Sequence, residues 1–226
     1  LMTLFFIHSY KVPDHKEPFS FQGYKKIFQS NILFLLTIYF IVTMVPYWIF
    51  VGISPLLFMQ NLGVSLSHFG YYQGSFALVY ALGSILFGFI VNRFNQRKML
   101  FISNLFALLS LMTLLSVTFI SGVGALWIIL AFMPFIISQI APGNILYPVC
   151  LELMPSAKAR ITAIQQGGRL IFASICLQIA GHFYRGTFEN IGIILCIFIA
   201  IGVVMLFCIL PRDELKKYLN KRVNCS

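Results

Sequence analysis

Acidic side chains are scarce in this chain. Asp and Glu number 6 among 226 residues, and charged residues of both signs make up only 10%. A water-soluble domain carries roughly a quarter charged residues, so this chain has too little polar surface to clothe a soluble core. Its 59% apolar content and mean hydropathy of +0.90 fit a chain whose solvent is lipid. The groupings that catalysis needs are also missing. There is no HExxH pair, no Ser-His partnership and no intramembrane Asp pair, so an enzyme is not expected. The 5 cysteines, Cys150, Cys176, Cys196, Cys208 and Cys225, show no CxxC or zinc-ligand spacing. Cys225 is next to last, the wrong place for prenylation. Neither a metal nor a bound cofactor is implied.

The apolar residues are gathered into long runs. A helix that spans the bilayer needs about 20 mostly apolar residues, and six stretches meet this, over 32–57, 71–91, 99–120, 125–147, 163–184 and 191–210. Barrel strands would alternate apolar and polar residues, and no such alternation occurs. The backbone in lipid has to satisfy its own hydrogen bonds, which leaves helices. The expected fold is therefore an all-α polytopic membrane protein with six transmembrane helices.

The net charge of +10 then reads as topology. Lys11, Lys16, Lys25 and Lys26 precede the first run, and Arg93, Arg97 and Lys98 follow the second. Lys158 and Arg160 follow the fourth, and Arg212, Lys216, Lys217, Lys221 and Arg222 follow the sixth. These are 14 of the 16 basic residues, and all lie on one side; of the other two, Arg185 is opposite and Arg169 is within a run. The positive-inside rule places both termini in the cytoplasm, and an even number of crossings agrees. Nucleic-acid binding is not expected, because these residues divide among four segments and form no single stripe. The bilayer is the first partner implied, and the plasma (inner) membrane the expected location.

Three regions follow. Residues 1–30 hold a short apolar start, 1–7, read as the end of a truncated helix, and a polar cytoplasmic linker with Pro13 and Pro18. Residues 31–210 form the six-span bundle, and 211–226 a basic tail. A start at Leu1, preceded by no cationic region, suggests a fragment or a shortened form of something larger.

Polar residues inside the runs are costly in lipid and tend to face a bundle interior or a watery cavity. The first run holds Tyr39, Thr43 and Tyr47; the second Gln73, Ser75 and Tyr80; the third little beyond an edge Asn104. The fourth holds Ser138, Gln139 and Asn144; the fifth Gln165, Gln166, Arg169 and Gln178; the sixth none. Two polar runs and a plainer one thus occur twice. Pro46 and Pro55 interrupt the first run, and Pro134 and Pro142 the fourth. Interrupted helices at matching positions of two halves point to an inverted 3+3 repeat. In the second run Gly70, Gly74, Ala77, Ala81, Ser84 and Gly88 form one small-residue seam, a surface for close helix approach.

The segment from Gly88 to Lys98 resembles the loop motif of the major facilitator superfamily. Gly88, Arg93, Arg97 and Lys98 match; Asn92 stands where that family usually has Asp, and Asn95 and Gln96 depart from its Gly and one basic residue. The layout from Asn144 through Leu151-Glu152-Leu153-Met154-Pro155 to Arg169 is similar to the tenth-to-eleventh helix region of Bcr/CflA-type drug-resistance transporters. The linker Glu17-Pro18-Phe19-Ser20-Phe21 with Tyr24 resembles that family's central loop.

The resemblance covers the C-terminal six-helix half of that fold. It implies a secondary carrier with two bundles rocking about a central cavity, exporting small amphipathic compounds against proton entry. The proton gradient would be its driving force, with no cofactor. The candidate cavity residues in that picture are Tyr39, Thr43, Tyr47, Trp48, Gln73, Tyr80, Gln139, Asn144, Gln165 and Arg169, and aromatic walls suit apolar or cationic ligands. Arg169 is expected six residues, about 9 Å, from the cytoplasmic end of its helix. No Asp or Glu falls within a run, so the proton carrier is expected on a missing N-terminal six-helix half. The alternatives are a homodimeric six-span carrier, completed by a second copy, and a membrane protein that does not transport.

Overall fold

A backbone in hydrocarbon has no partner but itself, and the elements of the computed structural model are helices; there is no strand among the described residues, 27–91, 93–120, 122–213 and 215. They form six rods. The first is α1 (Asn31–Thr43) followed by α2 (Val45–Pro55), and it ends in a π-helical turn, Leu56–Asn61. The second and third are α3 (Leu66–Ile90) and α4 (Gln96–Thr118). The fourth is α5 (Ala125–Ser138) followed by α6 (Ile140–Leu153). A short 3-10 turn, Pro155–Ala157, leads into the fifth, α7 (Lys158–Phe183), and α8 (Phe188–Ile209) is the sixth.

Five of these rods are long and apolar enough to cross a membrane; α7 is not among them. Its 26 residues span about 39 Å, so length does not exclude it. It is set apart by its polar residues, Gln165, Gln166, Arg169 and Gln178, which make it less apolar than the other five. The helix also starts five residues before the expected 163, because Pro155 opens a turn that feeds straight into it. Arg169 therefore lies eleven residues from the helix start, about 17 Å along the axis, and not the six expected. The fourth rod runs past Pro148 to Leu153, beyond its expected end.

Prolines set the two breaks. A proline withholds the N–H that would bond the carbonyl four residues earlier. Pro46 leaves Val42 without its partner, and the rod breaks at Met44, whose N–H turns to Val42 O. Pro142 leaves Ser138 O, and the fourth rod breaks at Gln139; the freed carbonyl accepts from Ser103 Oγ on α4. Pro55 leaves Val51 O, which accepts from Ser54 Oγ at 3.1 Å, while the chain widens into the π turn. Each of these three carbonyls thus has a donor, as the low-dielectric surroundings demand; Pro134, expected to interrupt the fourth run, and Pro148 instead lie within the continuous α5 and α6. At the end opposite the basic loops, the connections turn on Gly63, Gly122 and Gly186, at φ 64°, 75° and 84°, where a side chain would be strained.

The first rod packs on α7 and α8, and the fourth rod on α3 and α4; α4 also packs on α8. Two apolar clusters fill the interior. Phe50, Phe76, Phe132 and Phe135 anchor one, with Phe50 and Phe132 stacked at 4.6 Å, and Leu33, Leu36, Leu100, Ile145 and Ile161 belong to the other. Lipid is as apolar as these side chains, so the stabilisation is close packing and interhelical hydrogen bonding, with no exclusion of water. Ser110 Oγ and Thr113 Oγ1 of α4 both donate to Ala131 O of α5, at 3.1 and 3.0 Å.

Candidate functional site

The polar residues expected to line one cavity separate into an interior set and a surface set. Tyr39, Thr43 and Gln139 are buried. They surround a void of about 10 Å³ with Ser103, Asn104 and Ser138, between the two apolar clusters. That is about the size of one water. Thr43 Oγ1 donates to Tyr39 O at 2.8 Å, and Gln139 Nε2 donates to Ser138 Oγ at 3.2 Å. Asn104 Nδ2 reaches Val203 O at 3.4 Å. Both proline-induced breaks therefore meet at one polar node inside the bundle.

A second set lies on a half-exposed face that crosses four rods. On α6, Gly143, Asn144 and Tyr147 share one side and are partly exposed. The Tyr80 hydroxyl of α3 lies close over Gly143, 3.0 Å from where a Cβ would stand, so a larger residue there would displace it. Asn144 Nδ2 donates to Ile140 O at 2.8 Å and reaches Ser84 Oγ of α3 at 3.5 Å. Tyr147 pairs its hydroxyl with Thr162 of α7 at 3.3 Å and meets Phe40 of α1 edge-on at 5.9 Å. Beyond Phe40, the side chains of Met44, Tyr47 and Trp48 recur at helical spacing, with Tyr47 and Trp48 edge to face at 5.9 Å. Gln73 sits further along α3, where its amide donates to Ser54 Oγ at 2.6 Å and so supports the hydroxyl that repairs the Pro55 break.

Gln165 is buried on α7 beside Cys150 of α6. Arg169, one turn further, is partly buried, and its Nε is unpartnered. The neighbouring Gly168 packs so tightly on Ile41 of α1 that a Cβ would come within 2.7 Å of it. Of the loop residues, Gly88, Arg93, Arg97 and Lys98 are exposed, and Asn92 lies outside the described residues. Asn95 caps α4 by accepting from the N–H groups of Arg97 and Lys98, at 2.9 and 3.4 Å.

Phe40, Ser54, Tyr147 and Thr162 join the site without having stood out in the sequence, and Ser84 had stood out only as part of the small-residue seam. Small hydroxyls and single aromatics are ordinary in membrane helices, and only their neighbours single them out. Chemically the half-exposed face offers aromatic rings, amides, hydroxyls and one guanidinium. The described carboxylates lie elsewhere, with Glu152 near the end of α6, Glu189 at the start of α8 and Asp213 beyond it. No described group of three or more His, Cys, Asp or Glu side chains gathers as metal ligands do. Such a surface binds and orients; it has no nucleophile–base pair with which to make or break bonds.

The sequence profile of the Major Facilitator Superfamily matches residues 8–224. Comparison with curated proteins gives no match. Broken apolar rods around a polar, aromatic face, together with a match over nearly the whole chain, identify an integral membrane transporter and no enzyme: the chain belongs to the major facilitator superfamily.

Proposed function

We propose that this chain is one six-helix half, a 3+3 inverted repeat, of a secondary carrier that exports small amphipathic compounds, most like the Bcr/CflA drug-resistance type. The packing pattern is the observation that carries the repeat. Exchanging the first three rods with the last three maps the main contacts onto one another: first-on-fifth becomes fourth-on-second, and first-on-sixth becomes fourth-on-third. The proline-broken rod opens each unit. In this reading α7 is the sixth crossing, its polar residues tolerated because they face the cavity or a partner bundle instead of lipid. Both termini lie in the cytoplasm, since 14 of the 16 basic residues fall on that side.

The half-exposed face from Tyr80 to Trp48 is the cavity wall, and the bundle that closes it is an N-terminal-type half or a second copy. The small-residue seam of α3 supports such a partner. At Gly70, Gly74 and Gly88 no atom lies within 4 Å of a would-be Cβ, so the close approach that the seam permits is unused within this bundle. Proton coupling in this picture uses a carboxylate on the partner bundle, because none of the described carboxylates lies on this face.

Water access tests the reading. With the native cysteines replaced, single cysteines at Trp48 and Tyr147 should react with a membrane-impermeant maleimide in vesicles. A lipophilic cation should slow both reactions. Cysteine at Phe101, on the outer face of α4, should stay unreactive. Equal resistance at all three positions would overturn the assignment of this face to a cavity.

A further inference from the structure

The basic loop after α3 has an apolar surround. On one side of the first turns of α4 lies a groove of about 440 Å³ between α3, α4 and the α5–α6 break. Leu86, Phe87, Ile90, Ile102 and Phe106 are among its walls, and Lys98 and Asn95 stand at its mouth. On the other side is a second groove, about 570 Å³, between α4 and α8, with Phe101, Ile102 and Phe207 as walls and Arg97 and Lys98 at the rim. Both fall in the range of ligand clefts, about 300–1,000 Å³. Ile102 and Lys98 belong to both, so the two grooves straddle one helix and share one cationic head.

We infer that this is a binding site for anionic phospholipid, with the phosphate held by Arg97 and Lys98 and the acyl chains running down the grooves on either side of α4. Three observations favour that occupant. First, the walls are almost wholly apolar while the rim is cationic, which is the inverse of a lipid with an anionic head and hydrocarbon tails. Second, Arg93, Arg97 and Lys98 are exposed, and no acid stands in the sequence from Gly88 to Asn104. Third, the N–H groups of Arg97 and Lys98 are already taken by Asn95 Oδ1. A phosphate here is therefore bound by the guanidinium and ammonium groups, which can lean out to headgroup depth. The leaflet concerned is the one on the side of the basic loops; it is the inner leaflet if the proposed orientation holds, and the site itself does not depend on that orientation.

Native mass spectrometry of the full chain, loaded with either phosphatidylglycerol or phosphatidylcholine, tests this. Wild type should retain phosphatidylglycerol preferentially. Lys98→Gln should weaken that retention about five-fold and Arg97→Gln by a similar factor. Lys158→Gln, which removes the same charge from another loop, should leave it unchanged, and Lys98→Arg should restore it. Ile102→Trp, which adds bulk to the wall that the two grooves share, should lower retention of either lipid without altering charge. Equal retention of the two lipids by wild type would overturn the site. An equal loss with Lys158→Gln would reduce it to diffuse attraction, and full retention by Ile102→Trp would show that no chain occupies the grooves. Thermal melting of each variant separates these outcomes from failure to fold, and none of them bears on whether the aromatic face is a cavity.

Discussion

Ser103 of α4 donates its hydroxyl hydrogen to the carbonyl of Ser138 on the fourth rod, four residues before Pro142. The proline removes the N–H that would have satisfied that carbonyl, and a neighbouring helix supplies the replacement. The break at Gln139 is thus maintained between rods and not within one. Ser103→Ala should cost about 1–2 kcal/mol of bundle stability, because it orphans a buried carbonyl. In a Pro142→Ala background the N–H is restored and the cost should largely vanish. Thermal unfolding of the two single variants and the double variant in detergent measures the coupling; additive losses would mean the two residues act independently.

A parallel repair operates on the first rod, with one more link. Gln73 Nε2 donates to Ser54 Oγ, which donates to Val51 O, the carbonyl that Pro55 deprives of its partner. Ser54→Ala removes both bonds, whereas Gln73→Leu removes one and leaves the repair in place. Ser54→Ala should therefore be the more destabilising, by about 1 kcal/mol. Melting temperatures in the opposite order would assign Gln73 a role beyond packing.

Much of this architecture was legible in the chain, and for a physical reason. Length and apolarity locate rods, and Pro46, Pro55 and Pro142 mark the two that are interrupted, whereas Pro134, expected to interrupt the fourth as well, lies within the continuous α5. Rotation about each rod's axis was not legible. Tyr39, Thr43 and Gln139 face an interior void, while Trp48, Tyr80 and Asn144 lie on the half-exposed face. A helix apolar on all sides carries no stripe to say which side turns inward, so residues of similar polarity could not be sorted before their neighbours were known. Tyr147 shows the same limit. Read as the end of a run, it proves to join α1, α6 and α7 through Phe40 and Thr162.

The aromatic face makes a quantitative prediction. If this face is the proposed cavity wall, Trp48 and Tyr147 meet a cationic, amphipathic ligand there, and each such contact contributes about 0.5–2 kcal/mol. Trp48→Ala and Tyr147→Ala should each raise the apparent Kd for a lipophilic cation by about two- to thirty-fold, while Trp48→Phe should retain most of the affinity. Fluorescence titration of the purified protein in nanodiscs reads this directly. Unchanged affinity in both alanine variants would remove these rings from the binding surface.

Glycines that look alike in sequence should respond oppositely. A Cβ on Gly192 of α8 would press into Thr118 Oγ1 and stand 3.0 Å from Phe188 Cε1. Thr118 has little freedom to yield, since its hydroxyl is bonded to Leu114 O at 2.7 Å. Gly192→Ala should therefore force α4 and α8 apart and cost about 1–3 kcal/mol. Gly74 of α3 has open space where its Cβ would be, so Gly74→Leu should leave the melting temperature of this bundle unchanged. If the seam is where a second bundle approaches, the same substitution should still abolish association with it, because a leucine holds two backbones apart. Melting and crosslinking measured on one pair of variants separate the two effects. A destabilised Gly74→Leu would show that α3 already uses its seam within the bundle, and a stable variant that still crosslinks would place the partner on another face.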